Sequence, residues 1–270
     1  MLTLTRRAGS PIPLELDGVT PDRLRAFSAA EVAHLPVAHG NRTEPLGEFF
    51  DVAGSPTDGV LTLRGDLVKV KSIGAGMTGG RIVADAAGLH AGAGMSGGEL
   101  IVEGDAGDWL GAEMTGGTIT VRGNAGHQTG AAYRGSRRGM NGGVIHVHGS
   151  AGDEVGLLMR RGLILVGGTC GEFAGASMIA GSLFVFGKAG GRLGAGMKRG
   201  TILAAGGVDE LPPSFRYSCD YRPTFLALYL TQLRLLGIAV PDHVFTDAIR
   251  CYRGDVLYGG RGEVLVPWGV

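Results

Sequence analysis

Short stretches of alternating apolar and polar residues recur through the middle of the chain, each bounded by glycine. Glu99-Leu100-Ile101-Val102-Glu103 and Thr118-Ile119-Thr120-Val121-Arg122 are two of them. Alternation places Leu100, Val102, Ile119 and Val121 on one side of a strand and their neighbours on the other, the pattern of a half-buried β-strand. Methionine marks the recurrence: Met77, Met95, Met114, Met140, Met159, Met178 and Met197 follow one another at steps of 18, 19, 26, 19, 19 and 19 residues. The long step is a normal one carrying a seven-residue insertion, Tyr133–Gly139. The unit reads close to G-x-x-M-x-x-G-x-[IL]-x-[VA]-x-G-[DNST]-A-G, and GAGMSGGELIVEGDAG, GAEMTGGTITVRGNAG and GASMIAGSLFVFGKAG show it most clearly.

One such unit is too short to bury its apolar face alone, so the units must stack. The period predicts an all-β single-stranded β-solenoid of about 19 residues per repeat, with neighbouring coils ~4.8 Å apart. Methionine, Ile/Leu and Val form internal ladders, and glycine serves the tight corners. Two other solenoids do not fit. A 19-residue step with an insertion breaks the hexapeptide phase of acyltransferase helices, and GAGMTGG lacks the Asp of calcium-binding nonapeptide helices.

The flanks differ from the repeats. Residues 1–58 carry short alternations (Leu2, Leu4; Ile12, Leu14, Leu16) and a short helix opened by Thr20 and Pro21, an N-terminal αβ cap. Residues 59–207 are the repeats, with 59–73 as a degenerate first coil. Residues 208–270 form a C-terminal extension. In it, 222–236 reads as a helix that is apolar most of the way round, and Asp255–Val266 as a β-hairpin about a Gly-rich turn.

Composition sharpens this picture. Fifty-one of 270 residues are glycine, against a usual share of about 7%. Collagen is excluded, because glycine does not fall at every third position and there are only 11 prolines. Disorder is excluded by 44% hydrophobic and 19% charged residues. With 25 basic and 25 acidic residues, a general affinity for nucleic acid or a membrane surface is not expected. Cys170, Cys219 and Cys251 are odd in number, far apart and without a CxxC, which argues against a disulfide framework or zinc ribbon. No apolar run suits a signal peptide or a membrane span. A soluble cytoplasmic protein is expected.

Candidate chemistry is sparse. GAGMTGG matches a dinucleotide fingerprint in letters only, without the βαβ context or the later acidic residue. His146 and His148 share the outward face of one strand, but Thr120, Arg122 and Leu165 occupy the adjacent positions, so a solvent-facing or partner-facing pair is favoured over a metal site. Cys170 stands where other repeats have Ala106, Ala125, Ala151 and Ala189, the slot of a small buried residue. No Ser/His/Asp set or acid pair appears, so intrinsic catalysis is not expected. Two surface features stand out. Arg160-Arg161 and Lys198-Arg199 follow their methionines at the same repeat positions, and the insertion adds Arg134, Arg137 and Arg138. Together they form a basic edge suited to an anionic ligand or an acidic partner, or simply a solvated corner. The outward slots of later coils hold Leu165, Phe184, Phe186 and Leu203, an apolar stripe that the C-terminal helix or another subunit must cover.

The coils, with GDAGDWLG (Gly104–Gly111) and GNAGHQTG (Gly123–Gly130), resemble the C-terminal β-helix domain of the glutamate synthase large subunit. GNRTEPLGEFFDVAG (Gly40–Gly54) and YRPTFLALYLTQLRLLGI (Tyr221–Ile238) are similar to the flanks of the family of formylmethanofuran dehydrogenase C subunits, over essentially the whole chain. Bare glutamate synthase modules lack those flanks. The resemblance implies a right-handed β-helix and a non-catalytic scaffold subunit of a one-carbon enzyme complex. Methanogen members belong to molybdenum or tungsten enzymes that reduce carbon dioxide onto methanofuran. Bacterial counterparts are gamma subunits of the formyltransferase/hydrolase complex, which moves formyl from formyl-tetrahydromethanopterin to methanofuran and hydrolyses the product to formate. A composition of 21 Arg and 4 Lys leans towards the bacterial version. The resemblance further implies no cofactor on this chain and a metal in a hydrolytic partner. The partners implied are amidohydrolase-like, formyltransferase and one further subunit, two copies of each. Methanofuran's acidic glutamate tail makes Arg137, Arg138, Arg160, Arg161, Lys198 and Arg199 candidates for holding that tail or an acidic neighbour. A docking or channelling module of a glutamate synthase-like amidotransferase is the alternative of another class.

Overall fold

The inward residues of the alternating stretches decide the architecture. In the computed structural model, which describes residues 1–7, 11–235, 237–246 and 248–268, strands dominate and helices are few. The chain opens with β1 (Leu2–Arg6), β2 (Leu14–Glu15), α1 (Pro21–Leu24), α2 (Ala29–Ala33), β3 (Pro36–His39), β4 (Arg42–Pro45) and β5 (Phe50–Gly54). The repeats supply β6 (Val60–Arg64), β7 (Val70–Lys71), β8 (Arg81–Ala84), β9 (Glu99–Val102), β10 (Thr118–Val121), β11 (Asn141–Val147), β12 (Arg161–Val166), β13 (Ser182–Val185) and β14 (Arg199–Ala204). The last segment holds β15 (Arg216–Tyr221), α3 (Thr224–Leu235), α4 (His243–Thr246), β16 (Ile249–Gly254) and β17 (Arg261–Pro267).

Strands β6 and β8 to β14 pair in chain order, all parallel. Equivalent apolar residues meet in register, from Leu61 and Ile82 through Leu100, Ile119, Ile145, Ile164 and Leu183 to Ile202. Elsewhere around each repeat, single parallel bridges join Ala87, Ala106, Ala125, Ala151, Cys170, Ala189 and Val208. At a third place the N–H groups of Gly92, Gly111, Gly130 and Gly156 donate to Ile73, Ala91, Leu110 and Thr129 of the preceding repeat. Each repeat is thus tied to the next at three places, and all seven methionines of the ladder are fully buried between them. Gly92 shows why the corner needs glycine: its φ is +64°, and a Cβ there would stand 2.4 Å from Ile119 Cδ1. Another corner does without glycine. His90, Trp109, Gln128, Glu154, Phe173 and Arg192 all hold left-handed backbone with φ between 57° and 63°.

Both ends of the stack are finished by the flanks. The alternation at Leu2 and Leu4 extends the ladder, because β1 pairs parallel with β6 and antiparallel with β5. Leu14 and Leu16 are buried, whereas Ile12 is exposed and does not continue their pattern. At the far end β17 pairs parallel with β14, and β16 and β15 follow antiparallel, completing a 13-stranded sheet. A second sheet runs β4-β3-β2-β7.

Two C-terminal expectations need adjustment. The helix expected over 222–236 spans Thr224–Leu235, and Leu236 lies outside the described residues. The hairpin is displaced: its strands are Ile249–Gly254 and Arg261–Pro267, while Val256–Tyr258 is a 3-10 turn between them. The apolar triplet there looks like strand in sequence, yet Leu257 is 79% exposed. The buried Asp255 sets the turn, its Oδ1 accepting from Leu257 N–H and its Oδ2 from Gly196 N–H, both at 3.0 Å. The apolar stripe on the outer face is covered from within the chain. Leu226, Leu230 and Leu233 of α3 are buried in one cluster with Leu165, Phe184 and Leu203, at the spacing of one helix face.

Candidate functional site

The two residues after each repeat methionine are held outside the stack by backbone bonds to the previous methionine. Arg160 and Arg161 N–H donate to the Met140 carbonyl at 2.8 and 3.3 Å, and Lys198 N–H to that of Met178 at 2.8 Å. Earlier repeats place Thr78-Gly79, Ser96-Gly97, Thr115-Gly116 and Asn141-Gly142 there. The same backbone slot is therefore neutral in the early coils and cationic in two late ones.

Register aligns these cations. Leu163 pairs with Ser182 and Ser182 with Thr201, so Arg161 and Arg199 stand two strands apart, and Arg199 pairs directly with Arg261 of β17. Neighbouring strands lie ~4.8 Å apart, which spreads the three guanidinium stems over ~15 Å. Arg160, Arg161 and Arg199 line an open groove of about 460 Å³ with Tyr229 of α3 on its wall. Lys198, Arg199 and Arg261 line a second, of about 320 Å³, with Tyr258 of the turn. Arg199 and Ile179 belong to both, so the grooves adjoin. Among the described residues, none of these five cations has an ion pair. Arg261 was not anticipated from sequence, because the tail strand joins the ladder only in three dimensions.

Arg137 and Arg138 are exposed and line neither groove. Their insertion is drawn towards earlier coils. Tyr133 N–H donates to Glu113 Oε1 at 3.0 Å, and its hydroxyl meets His90 Nδ1 at 2.9 Å. His90 stacks on Trp109 at 5.2 Å between ring centres. Burial pushes the Tyr133 phenol up and the His90 imidazole down. Only the insertion itself signalled this clasp in the sequence.

His146 and His148 point outward side by side with ring centres 4.1 Å apart. His148 is exposed but His146 is buried, 8% exposed, so of the expected solvent-facing or partner-facing pair only His148 faces solvent. Desolvation, with the charges of His148 and Arg122, lowers the His146 pKa to about 4, so the ring is neutral near pH 7. Cys170 is buried, and desolvation pushes its thiol up to about 12. It is a bridge residue between Ala151 and Ala189, as its alanine slot implied, and such a thiol is no nucleophile.

An acidic groove of about 420 Å³ lies at another corner, lined by Asp108, His127, Asp153, Glu154 and Glu172 among others. Its polar atoms are spent on the fold. Asp108 Oδ1 accepts from His127 N–H at 2.8 Å, His127 Nδ1 from Asp153 N–H at 2.9 Å, and Asp153 Oδ1 from Glu172 N–H at 2.8 Å. Among the described residues, no group of three or more His, Cys, Asp or Glu is placed to hold a metal.

No family model matches the chain. It is 42% identical over 81 residues to the C subunit of molybdenum-containing formylmethanofuran dehydrogenase 1 from Methanothermobacter thermautotrophicus, covering 30% of this chain and 20% of that protein. To the C subunit of tungsten-containing formylmethanofuran dehydrogenase 2 from the same organism it is 38% identical over 86 residues, 30% of this chain and 32% of that one. A chain in the crystal structure of the formyltransferase/hydrolase complex (FhcABCD) from Methylorubrum extorquens, in complex with methylofuran, superposes with a TM-score of 0.92 at 34% identity. That match covers 98% of this chain and 99% of the other. The chain belongs to the family of formylmethanofuran dehydrogenase C subunits. The alignments to the curated dehydrogenase proteins span about a fifth to a third of their length, whereas the match within the formyltransferase/hydrolase complex runs nearly end to end. Among the described residues, no helix is long and apolar enough to cross a membrane.

Proposed function

We propose that this chain is the non-catalytic scaffold subunit, the gamma subunit, of a formyltransferase/hydrolase complex. That complex transfers formyl from formyl-tetrahydromethanopterin to methanofuran and hydrolyses formylmethanofuran to formate. The observation that carries this reading is the near end-to-end match at 34% identity to a chain of such a complex. In the same reading the stack winds as a right-handed β-helix, residues 59–207, between a cap of 1–58 and an extension of 208–270. The complex is cytoplasmic and contains amidohydrolase-like, formyltransferase and further subunits, two copies of each. Its metal resides in the hydrolytic partner. The basic row, together with the separately placed Arg137 and Arg138 of the insertion, holds an anionic carrier tail or an acidic neighbour.

The test is gentle purification of the tagged chain from its native host, with its partners identified by mass spectrometry. Amidohydrolase-like and formyltransferase subunits, with formate released from formyl-tetrahydromethanopterin, support the reading. A second reading, the C subunit of a molybdenum or tungsten formylmethanofuran dehydrogenase, is favoured by the local identity to those proteins. Copurifying iron–sulfur and molybdenum or tungsten subunits would select it. Charge reversal at Arg137, Arg138, Arg160, Arg161, Lys198 and Arg199 should raise the apparent KM for methanofuran and its salt dependence. Unchanged kinetics would remove those residues from carrier binding.

A further inference from the structure

We propose that the row Arg160, Arg161, Lys198, Arg199 and Arg261, with the aromatic walls on either side, docks an acidic segment of a partner protein chain. This rests on the reading of the chain as a member of a multiprotein complex, and it names what that surface receives. The first argument is charge. Five cations lie along the run of four adjacent strands β12, β13, β14 and β17, two of them directly paired in register, and none of the five has an ion pair among the described residues. Juxtaposed like charges destabilise a sheet unless something opposite lies over them. Early repeats show that the backbone does not require the charges, since small neutral residues fill the same slot.

The second argument is the company those charges keep. Tyr229 stands on the helix side, and Phe225, one helical turn before it, extends the exposed aromatic face; both are 44% exposed. Tyr258 stands on the turn side with Leu257, 55% and 79% exposed. A small polyanion makes no use of such apolar walls. A peptide does, because aromatic anchors carry binding energy while rim charges set orientation and encounter rate. The Val256–Tyr258 turn is held before any partner arrives, since Asp255 fastens it to Gly196. A surface ordered in advance binds with less loss of freedom. The geometry also fits: an extended segment presents same-side carboxylates ~6.6–6.8 Å apart, so two or three of them span the ~15 Å of the row.

The experiment uses the purified complex carrying the photo-crosslinker p-benzoylphenylalanine in place of Leu257 or, separately, Phe225, with crosslinked peptides mapped by mass spectrometry. The expected product joins each position to one partner segment holding at least three Asp or Glu residues within about ten. In parallel, Arg161→Glu with Arg199→Glu should cut retention of that partner about tenfold at physiological salt. Arg161→Gln with Arg199→Gln should fall between it and the unmodified chain. Crosslinks to a segment without an acidic cluster, or no intermolecular crosslink in an intact complex, overturn the proposal. So does an intact charge-reversed complex that has lost bound methanofuran, which would make the row a carrier site. If the unmodified chain purifies without partners, the scaffold reading itself fails, a result distinct from a complex that forms but crosslinks elsewhere.

Discussion

The outer face of the strand ladder has two halves built on one interior. From β6 to β10 it carries charge: Arg64 pairs with Asp85, Arg81 with Glu99 and Arg122 with Glu103, all at the surface. From β12 to β14 the middle outward row holds Leu165, Phe184 and Leu203, sealed under α3, where the early strands hold Thr62, Val83, Ile101 and Thr120. Inside, both halves are the same, with Ile or Leu, Val or Ala, and a buried methionine in each repeat. A β-strand permits this because its two faces are chemically independent. The interior fixes the stack, and the exterior is free to differ coil by coil. Both late-coil specialisations, the covered apolar stripe and the unpaired cationic row, are written on that exterior.

The largest expected effect falls on the covered half. Phe184 is 2% exposed and meets Tyr229 edge-on at 5.6 Å. Phe184→Ala should destabilise by about 3–5 kcal/mol, read as a lower thermal midpoint, and should make residues 224–246 the first site of limited proteolysis. An unchanged digestion pattern would mean that α3 is held by something other than this stripe. Next comes a corner where every repeat keeps glycine. Gly117 has a φ of +85°, and a Cβ there would lie 2.6 Å from the Cε of the buried Met95 and 2.9 Å from the Gly98 carbonyl oxygen of the preceding coil. Gly117→Ala should cost about 2–3 kcal/mol, and a neutral result would show that adjacent coils slide freely.

His146 sits at the border of the two halves, between Thr120 and Leu165 in register. Its folded pKa is about 4, whereas in the unfolded chain the ring protonates near pH 6.5. Above that value both states are neutral and its contribution is complete. As pH falls from about 6.5 towards 4, the unfolded state takes up the proton first, and stability drops by on the order of 1 kcal/mol per pH unit. His146→Thr, which copies the preceding repeat, should flatten the fall in thermal midpoint between about pH 7.5 and pH 5. An identical slope would place the titration elsewhere. The smallest effect belongs to the charged half: Arg122→Ala removes an exposed pair and should change stability by less than about 1 kcal/mol. A larger loss would mean that this face is not simply solvated.

The comparison also explains what the sequence disclosed. The methionine ladder and the small slot of Cys170 were legible because in-register stacking repeats the same demand in every coil. So was the stripe needing a cover, since Leu165, Phe184 and Leu203 put large apolar residues in the outward row that holds Thr120 and His146 in the coils just before. Features made by distant segments were not legible. Tyr133 reaches back 43 residues to His90, and Arg261 enters the basic row through a tail strand paired with β14. The left-handed corner at His90, Trp109 and Gln128 was hidden too, because bulky residues stand where local preference favours glycine. Val256-Leu257-Tyr258 misled for the opposite reason: its local pattern says strand, and the buried Asp255 carboxylate folds it into a turn.

On the scaffold reading proposed above, this chain serves to hold other chains together, and native mass spectrometry of the gently purified protein is the decisive experiment. The 27.8 kDa chain should be found only in hetero-oligomers with one copy for each catalytic partner. A stable, free 27.8 kDa species as the main form would contradict it.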